Sequence, residues 1–173
     1  CLGVLMNKKQ IGKLVAECFH LVGNTETAAL LDRIKATGYH YARQAGMSIA
    51  ISDIQVPAEK KAVLSATDAQ VLKVTQMFMR GLITEDERYR KTIALWEKAT
   101  EDVTEAMMDN MDPFNSIFMM ADSGARGNKQ QIRQVAGMRG LMADPSGRII
   151  DLPIKANFRE GLSVLDYFTS SDR

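Results

Sequence analysis

The residues best suited to chemistry in this chain lie between Met119 and Met142. Four glycines (Gly124, Gly127, Gly137, Gly140) alternate there with three arginines (Arg126, Arg133, Arg139) in an otherwise apolar frame. Glycine lets a backbone take positive φ or pass close to another group. Arginine presents a rigid guanidinium fork that fits phosphate or carboxylate. The pattern describes a backbone that bends beside something negatively charged. A plainer reading stands next to it, a helix-turn-helix linker whose arginines pair with acidic neighbours such as Asp122. The other reactive side chains are scattered. His20 and His40 have no carboxylate or cysteine cluster beside them in sequence, which favours a structural or exposed role. Cys1 and Cys18 are too few for a disulfide framework or a zinc site, and this usage fits a reducing, cytoplasmic setting.

Composition narrows the classes. The chain has 173 residues, a formal net charge of +1 and 25% charged residues. It is therefore not a strongly basic, free-standing polyanion binder. No apolar run approaches the ~20 residues of a membrane span, and the opening Cys1–Met6 segment is too short for a signal peptide. Cysteine in first place leads us to expect a piece of a longer protein.

The elements that would position these residues are mainly helical. Ile11, Leu14, Val15, Cys18, Phe19 and Val22 follow helical spacing for one buried stripe. Gly23 is placed to end that helix, and Asn24 or Thr25 to cap a second running to Gly46 through Ala28, Leu31, Ile34 and Tyr41. Met47–Val56 alternates polar and β-branched residues and predicts a short extended segment. Pro57 is placed to open the next helix.

Leu64, Thr67, Val71, Val74 and Phe78 then step by three and four, as do Tyr89, Ile93, Trp96, Thr100, Val103 and Met107. Gly81 supplies a turn between the two series, and Thr84 with Glu87 forms a capping box. Together they predict an antiparallel coiled-coil hairpin over 57–112, with arms of about 25 residues and so about 35–40 Å long. The second arm is acidic, which reads first as a solvated face. The tip exposes Leu82 and Ile83 between Arg80 and Glu85, a composition suited to a partner. Asp112-Pro113 closes the hairpin. Asp144-Pro-Ser-Gly147 predicts a turn, and Arg148–Lys155 a strand-like run. Asn157 is expected to cap a last helix with Glu160 three residues on, its inner face made by Phe158, Leu162, Leu165 and Phe168. That face would have no cover within the chain.

These residues also carry a resemblance. Phe114–Gly127, Gln131-Ile-Arg-Gln134, Ala136–Met142 and Asn157–Leu162 closely resemble the largest subunit family, beta prime, of bacterial DNA-directed RNA polymerase. So do Leu31–Ile34, Ser48–Ile51, Arg80–Thr84, Glu87–Tyr89 and Ala106–Asn110, so that the likeness covers essentially the whole chain. It implies four regions: funnel helices over 1–56, the rim-helix hairpin over 57–112, an active-site-proximal Gly/Arg segment over 113–156, and the start of the bridge helix over 157–173. It further implies that Arg126 approaches the triphosphate of the incoming nucleotide. Arg133, Arg139 and Phe168 would shape the surrounding loop and hinge, and Arg80, Leu82, Ile83 and Glu85 would receive transcript-cleavage and related factors at the secondary channel. Other polymerase subunits would be partners, with DNA and RNA met only in the intact enzyme and no membrane involved.

The likeness ends at Ser171. The family continues Ser-Thr-His-Gly-Ala-Arg-Lys-Gly, where this chain reads Ser170-Ser-Asp-Arg173. The family's Asn-Ala-Asp-Phe-Asp-Gly-Asp metal motif does not occur in the chain either. The expectation is thus no cofactor bound by this chain, Mg²⁺ in the intact polymerase, and no catalysis by the chain alone. Two functions follow: a section of a nucleotidyltransferase subunit that positions substrate and admits regulators, or a stand-alone helical interaction module derived from that region.

Overall fold

A computed structural model describes residues 6–171. Among them are six α-helices: α1 Lys8–Ala45, α2 Lys60–Met79, α3 Glu85–Asp109, α4 Ser116–Asp122, α5 Lys129–Ala136 and α6 Val164–Ser171. The architecture is mainly α, as the periodicities predict. The chain forms two compact units. One is built from the residues up to Asp53 with Pro113–Asn128, the other from Ile54–Asp112 with the residues from Lys129 onward.

In the first unit Asn7 caps α1 by accepting from the Gln10 amide at 3.0 Å. The expected break falls within α1 at Gly23, whose φ of 77° and ψ of −174° are not helical. The Thr27 hydroxyl bonds the Gly23 carbonyl at 2.7 Å and is buried. Gly46 ends the helix in the left-handed region. The expected stripe is only partly covered: Ile11, Leu14, Val15 and Cys18 are half-buried, whereas Phe19, Val22, Leu31 and Tyr41 face solvent. Met47–Val56 does not extend as a strand. Its centre curls into a 3-10 turn, Ile51–Asp53, because the Asp53 carboxylate accepts from the Ala50 amide at 2.8 Å. A side chain that satisfies a nearby backbone donor competes with extended pairing. Asn115 ties α4 to this turn. Its amide donates to the Asp53 carbonyl at 2.7 Å, and its oxygen accepts from the Ile117 amide at 2.9 Å.

The second unit is organised by the packing of α2 on α3. Leu64, Val71, Val74 and Phe78 are half-buried and Thr67 is buried, while the residues between them are mostly exposed. On α3, Trp96, Thr100, Val103 and Met107 are buried. Thr84 accepts from the Glu87 amide at 3.3 Å and Glu87 accepts from the Thr84 amide at 2.9 Å, completing the capping box. Pro57 precedes α2 by a turn rather than opening it, with the Lys60 amide bonded to its carbonyl at 3.2 Å.

Behind α3, α5 leads into an antiparallel pairing of 139–144 with 148–156. Gly140 pairs with Ile154 and Ala143 with Ile149, and the Ile150 amide donates to the Met142 carbonyl at 2.8 Å. The intervening turn is the one expected at Asp144–Gly147, whose Gly147 amide bonds the Asp144 carbonyl at 2.9 Å. Met138, Ile154 and Asn157 are essentially without exposure at the centre of this layer. Asn157 is held because its amide donates to the carbonyls of Ala136 and Gly137 at 3.1 and 3.0 Å, at the end of α5.

The last helix departs from expectation. The box at Asn157 does form, with the Glu160 amide bonded to Asn157 Oδ1 at 2.8 Å, but it closes a single turn. Gly161, at φ 87°, ends that turn, and α6 begins only at Val164 under a second box. There Ser163 accepts from the Asp166 amide at 3.2 Å while Asp166 accepts from the Ser163 amide at 3.1 Å. The predicted inner face is largely open: Phe158, Leu165 and Phe168 are at least half exposed, while Leu162 is half-buried.

Candidate functional site

Arg126 sits in the first unit, at the turn that follows α4. The Arg126 amide bonds the Met120 carbonyl at 3.2 Å and the Gly124 amide bonds that of Ala121 at 3.2 Å, so the helix end wraps into the turn. Gly124 at φ 71° and Gly127 at φ 80° bracket the arginine. A Cβ at Gly124 would also lie 3.3 Å from Lys8 Cβ, so the position is confined by both backbone angle and space. The Lys8 amide donates to the Ser123 carbonyl at 3.1 Å and pins this turn to the start of α1. A cavity of about 440 Å³ lies here, lined by Lys8, Ile11, Ser123 and Gly124. Arg126 itself is exposed. Among the described residues it makes no ion pair with Asp122 or any other carboxylate, so the plainer pairing is not what holds the loop.

Arg133 and Arg139 are placed in the second unit. Both are partly buried, and the Nε of each is sealed from solvent without a hydrogen-bond partner among the described residues. Arg133 projects from α5 between two cavities of about 500 and 520 Å³, each shared with Glu101 of α3. The Arg139 guanidinium lies 5.0 Å from the centre of the Phe158 ring, in cation–π contact. Phe168, on α6, is 60% exposed, with its ring edge-on to Tyr167.

At the hairpin tip Gly81 turns the chain at φ 70°, its amide bonded to the Phe78 carbonyl at 2.8 Å. Arg80 and Glu85 are exposed and Leu82 is 68% exposed. Ile83 is half-buried, so the apolar tip is smaller than the sequence implied. Glu85 holds Arg88 through two hydrogen bonds, of 3.0 Å to Nε and 2.5 Å to Nη2. The Arg88 guanidinium keeps the Glu85 carboxyl below its ordinary range, and the same bonds push Arg88 further up.

Several positioning residues were not evident in the sequence. Arg88 Nη1 also reaches Asp151 at 3.1 Å, and the Tyr89 hydroxyl donates to the Ile149 carbonyl at 2.7 Å. Lys60, almost fully buried, meets Glu160 at 2.5 Å. Lys155 spans Asp68 at 2.6 Å and the Trp96 ring at 5.0 Å. Each of these pairs joins residues about 60 or more apart in the chain, so no local spacing could have disclosed them.

No three His, Cys, Asp or Glu among the described residues are placed to hold a metal ion. No helix among those described is long and apolar enough to cross a membrane.

Two family models match the chain. Residues 2–54 match the family described as RNA polymerase Rpb1, domain 3, and residues 83–159 match RNA polymerase Rpb1, domain 4. Over 165 residues the chain is 61% identical to the DNA-directed RNA polymerase subunit beta' of Desulforamulus reducens, and over 167 residues 59% identical to that of Heliobacterium modesticaldum. The corresponding subunit of Moorella thermoacetica is 58% identical over 166 residues. These alignments cover 95–96% of the chain but only 14% of each relative's length. The chain belongs to the family of bacterial DNA-directed RNA polymerase beta prime subunits, matching the Rpb1 domains 3 and 4.

Proposed function

We propose that this chain forms part of the secondary channel of a DNA-directed RNA polymerase, where Arg126 orients the incoming nucleoside triphosphate. The α2–α3 hairpin, in this reading, receives transcript-cleavage and related regulatory factors at its tip. The observation that carries the proposal is the exposed Arg126 guanidinium, free of any carboxylate among the described residues and set between two positive-φ glycines. An unneutralised fork on a confined turn suits charge-assisted hydrogen bonds to phosphate oxygens. The contribution is positioning: it brings the α-phosphorus into line for attack and transfers no proton. Metal chemistry and polymerisation belong to the remainder of the enzyme, with its other subunits as partners, and the chain alone is expected to be inactive.

The test places Arg126→Ala in the whole polymerase. Apparent KM for nucleotides should rise and addition should slow, with DNA binding unchanged. Arg126→Lys should restore only part, because an ammonium is a point charge without the fork. An unchanged KM accompanied by lower thermal stability would remove Arg126 from substrate binding and leave it a loop-shaping role.

A further inference from the structure

We propose that Arg88 is a positioning residue that relays the state of the hairpin tip to the paired segment 139–156. The relay runs through the orientation that Glu85 imposes on its guanidinium. Arg88 is held on one edge by both carboxylate oxygens of Glu85, at 3.0 and 2.5 Å. That two-point grip uses Nε and Nη2 and leaves Nη1 facing Asp151 at 3.1 Å. A bidentate contact fixes the plane of the fork, whereas a single contact leaves it free to rotate.

Asp151 follows directly on Ile149 and Ile150, which are themselves tied. The Ile149 carbonyl accepts from the Tyr89 hydroxyl, and the Ile150 amide donates to Met142. The Arg148 guanidinium lies 4.9 Å from the centre of the Tyr89 ring. Two successive residues of the first turns of α3 thus grip one side of the pairing. The same pairing continues through Gly140 and Ile154 to the Arg139 amide, which bonds Ala156 at 3.1 Å.

Glu85 is the exposed member of the relay, with its side chain 58% accessible against 21% for Arg88. A docked factor that presents a lysine or arginine to Glu85 competes for its oxygens and frees the Arg88 fork. The Asp151 contact then loosens, and of these two ties from α3 to the 148–151 segment only that of Tyr89 remains. This inference rests on the docking reading only for the identity of the trigger. The relay can be set off without any factor by neutralising Glu85.

The experiment is hydrogen exchange on the intact polymerase, read at the amides of Arg148, Ile150 and Ile154. Glu85→Gln should speed exchange at Arg148 and Ile150 by about two- to fivefold, the range of one partly exposed ion pair. Asp151→Asn should do the same. The double variant should add little beyond either single one, since both cut one connection. Arg88→Lys should mimic Glu85→Gln, because an ammonium cannot span both partners in one plane. The Glu85 carboxylate is exposed and that of Asp151 partly so, and a change confined to these amides is distinguishable from misfolding. Exchange in Glu85→Gln and Asp151→Asn equal to wild type at all three amides would overturn the relay. In a second arm, a transcript-cleavage factor added to the wild-type enzyme should speed the same amides, and should have no further effect on Glu85→Gln. A factor that binds elsewhere overturns the docking reading while leaving the first arm to decide the relay.

Discussion

Trp96 gives the most direct test of how α3 is packed. It is the only tryptophan in the chain and is 3% exposed, on a helix whose neighbours Ala99, Thr100, Val103 and Met107 are also buried. A buried tryptophan removes up to about 250 Å² from water, which at ~25 cal/mol per Å² is about 6 kcal/mol. Compactness of the unfolded chain lowers this by about 10–40%. Truncation to alanine is therefore expected to cost about 3–5 kcal/mol, the band for large-to-small core changes at tryptophan. The loss also removes the cation–π contact of the Lys155 ammonium, which lies 5.0 Å from the ring centre and keeps its pairing with Asp68, a contact worth about 0.5–1 kcal/mol at a part-exposed site. Urea unfolding followed by far-ultraviolet circular dichroism measures the change as a shift in midpoint at constant slope. Should Trp96→Ala prove too unstable to yield a baseline, Trp96→Phe supplies the measurement at smaller cost, with the packing retained and the indole lost. A cost below about 1 kcal/mol for Trp96→Ala would refute the packing derived for α3.

The Lys60–Glu160 pair should respond asymmetrically. Glu160→Gln leaves an almost fully buried ammonium without its counter-charge and should cost about 1–3 kcal/mol once discounted for the exposure of Glu160, whereas Lys60→Met should fall within about 1 kcal/mol of wild type; a milder Glu160→Gln would contradict this. The Asp144 carboxyl is held below its ordinary value of 3.8, first by the Ser146 hydroxyl and also by the amides of Ser146 and Arg148. A depressed carboxyl stabilises the fold above its unfolded pKa and ceases to do so as pH falls through the folded one. Asp144→Asn should therefore lower the melting temperature near neutrality and converge with wild type below about pH 4, and a constant gap across that range would exclude the carboxylate as the cause. At the tip, Leu82→Ser should weaken docking of a cleavage factor to the intact polymerase while basal elongation is kept. Equal loss of both would argue against a peripheral docking surface.

How much could be read in advance depended on the range of the interaction involved. The seam of α2 and α3 was legible because steps of three and four state which residues meet, and burial at Thr67, Trp96, Val103 and Met107 follows them. Caps were legible too: Thr84 with Glu87, the break at Gly23 and the turn at Asp144 are all contacts within four residues. The 47–56 segment misled because alternation implies a strand only when a partner strand exists, and the Asp53 carboxylate took the Ala50 amide instead. The start of the last helix misled for a related reason. Asn157 makes its box but is committed to the carbonyls of Ala136 and Gly137, so the chain cannot continue as a helix in the direction that box sets. At the candidate site the exposed Arg126 between its glycines was visible as a pattern. The roles of Arg88, Lys60 and Lys155 were not, since their partners are 63, 100 and 87 residues away.

The two successive boxes at Asn157 and Ser163 carry a geometric consequence of their own. Between them Gly161, at φ 87°, adopts a conformation that L side chains rarely take, so the path from core to helix is set by a joint of fixed length. An α-helix turns about 100° per residue, so one residue inserted within α6, just after Val164, would swing the exposed Leu165 and Phe168 about the helix axis by that order of angle. The joint at 161–163 is not helical and carries no such step. The Ser163–Asp166 box thus acts as an index mark: it fixes the residue from which the compass bearing of every later side chain is counted.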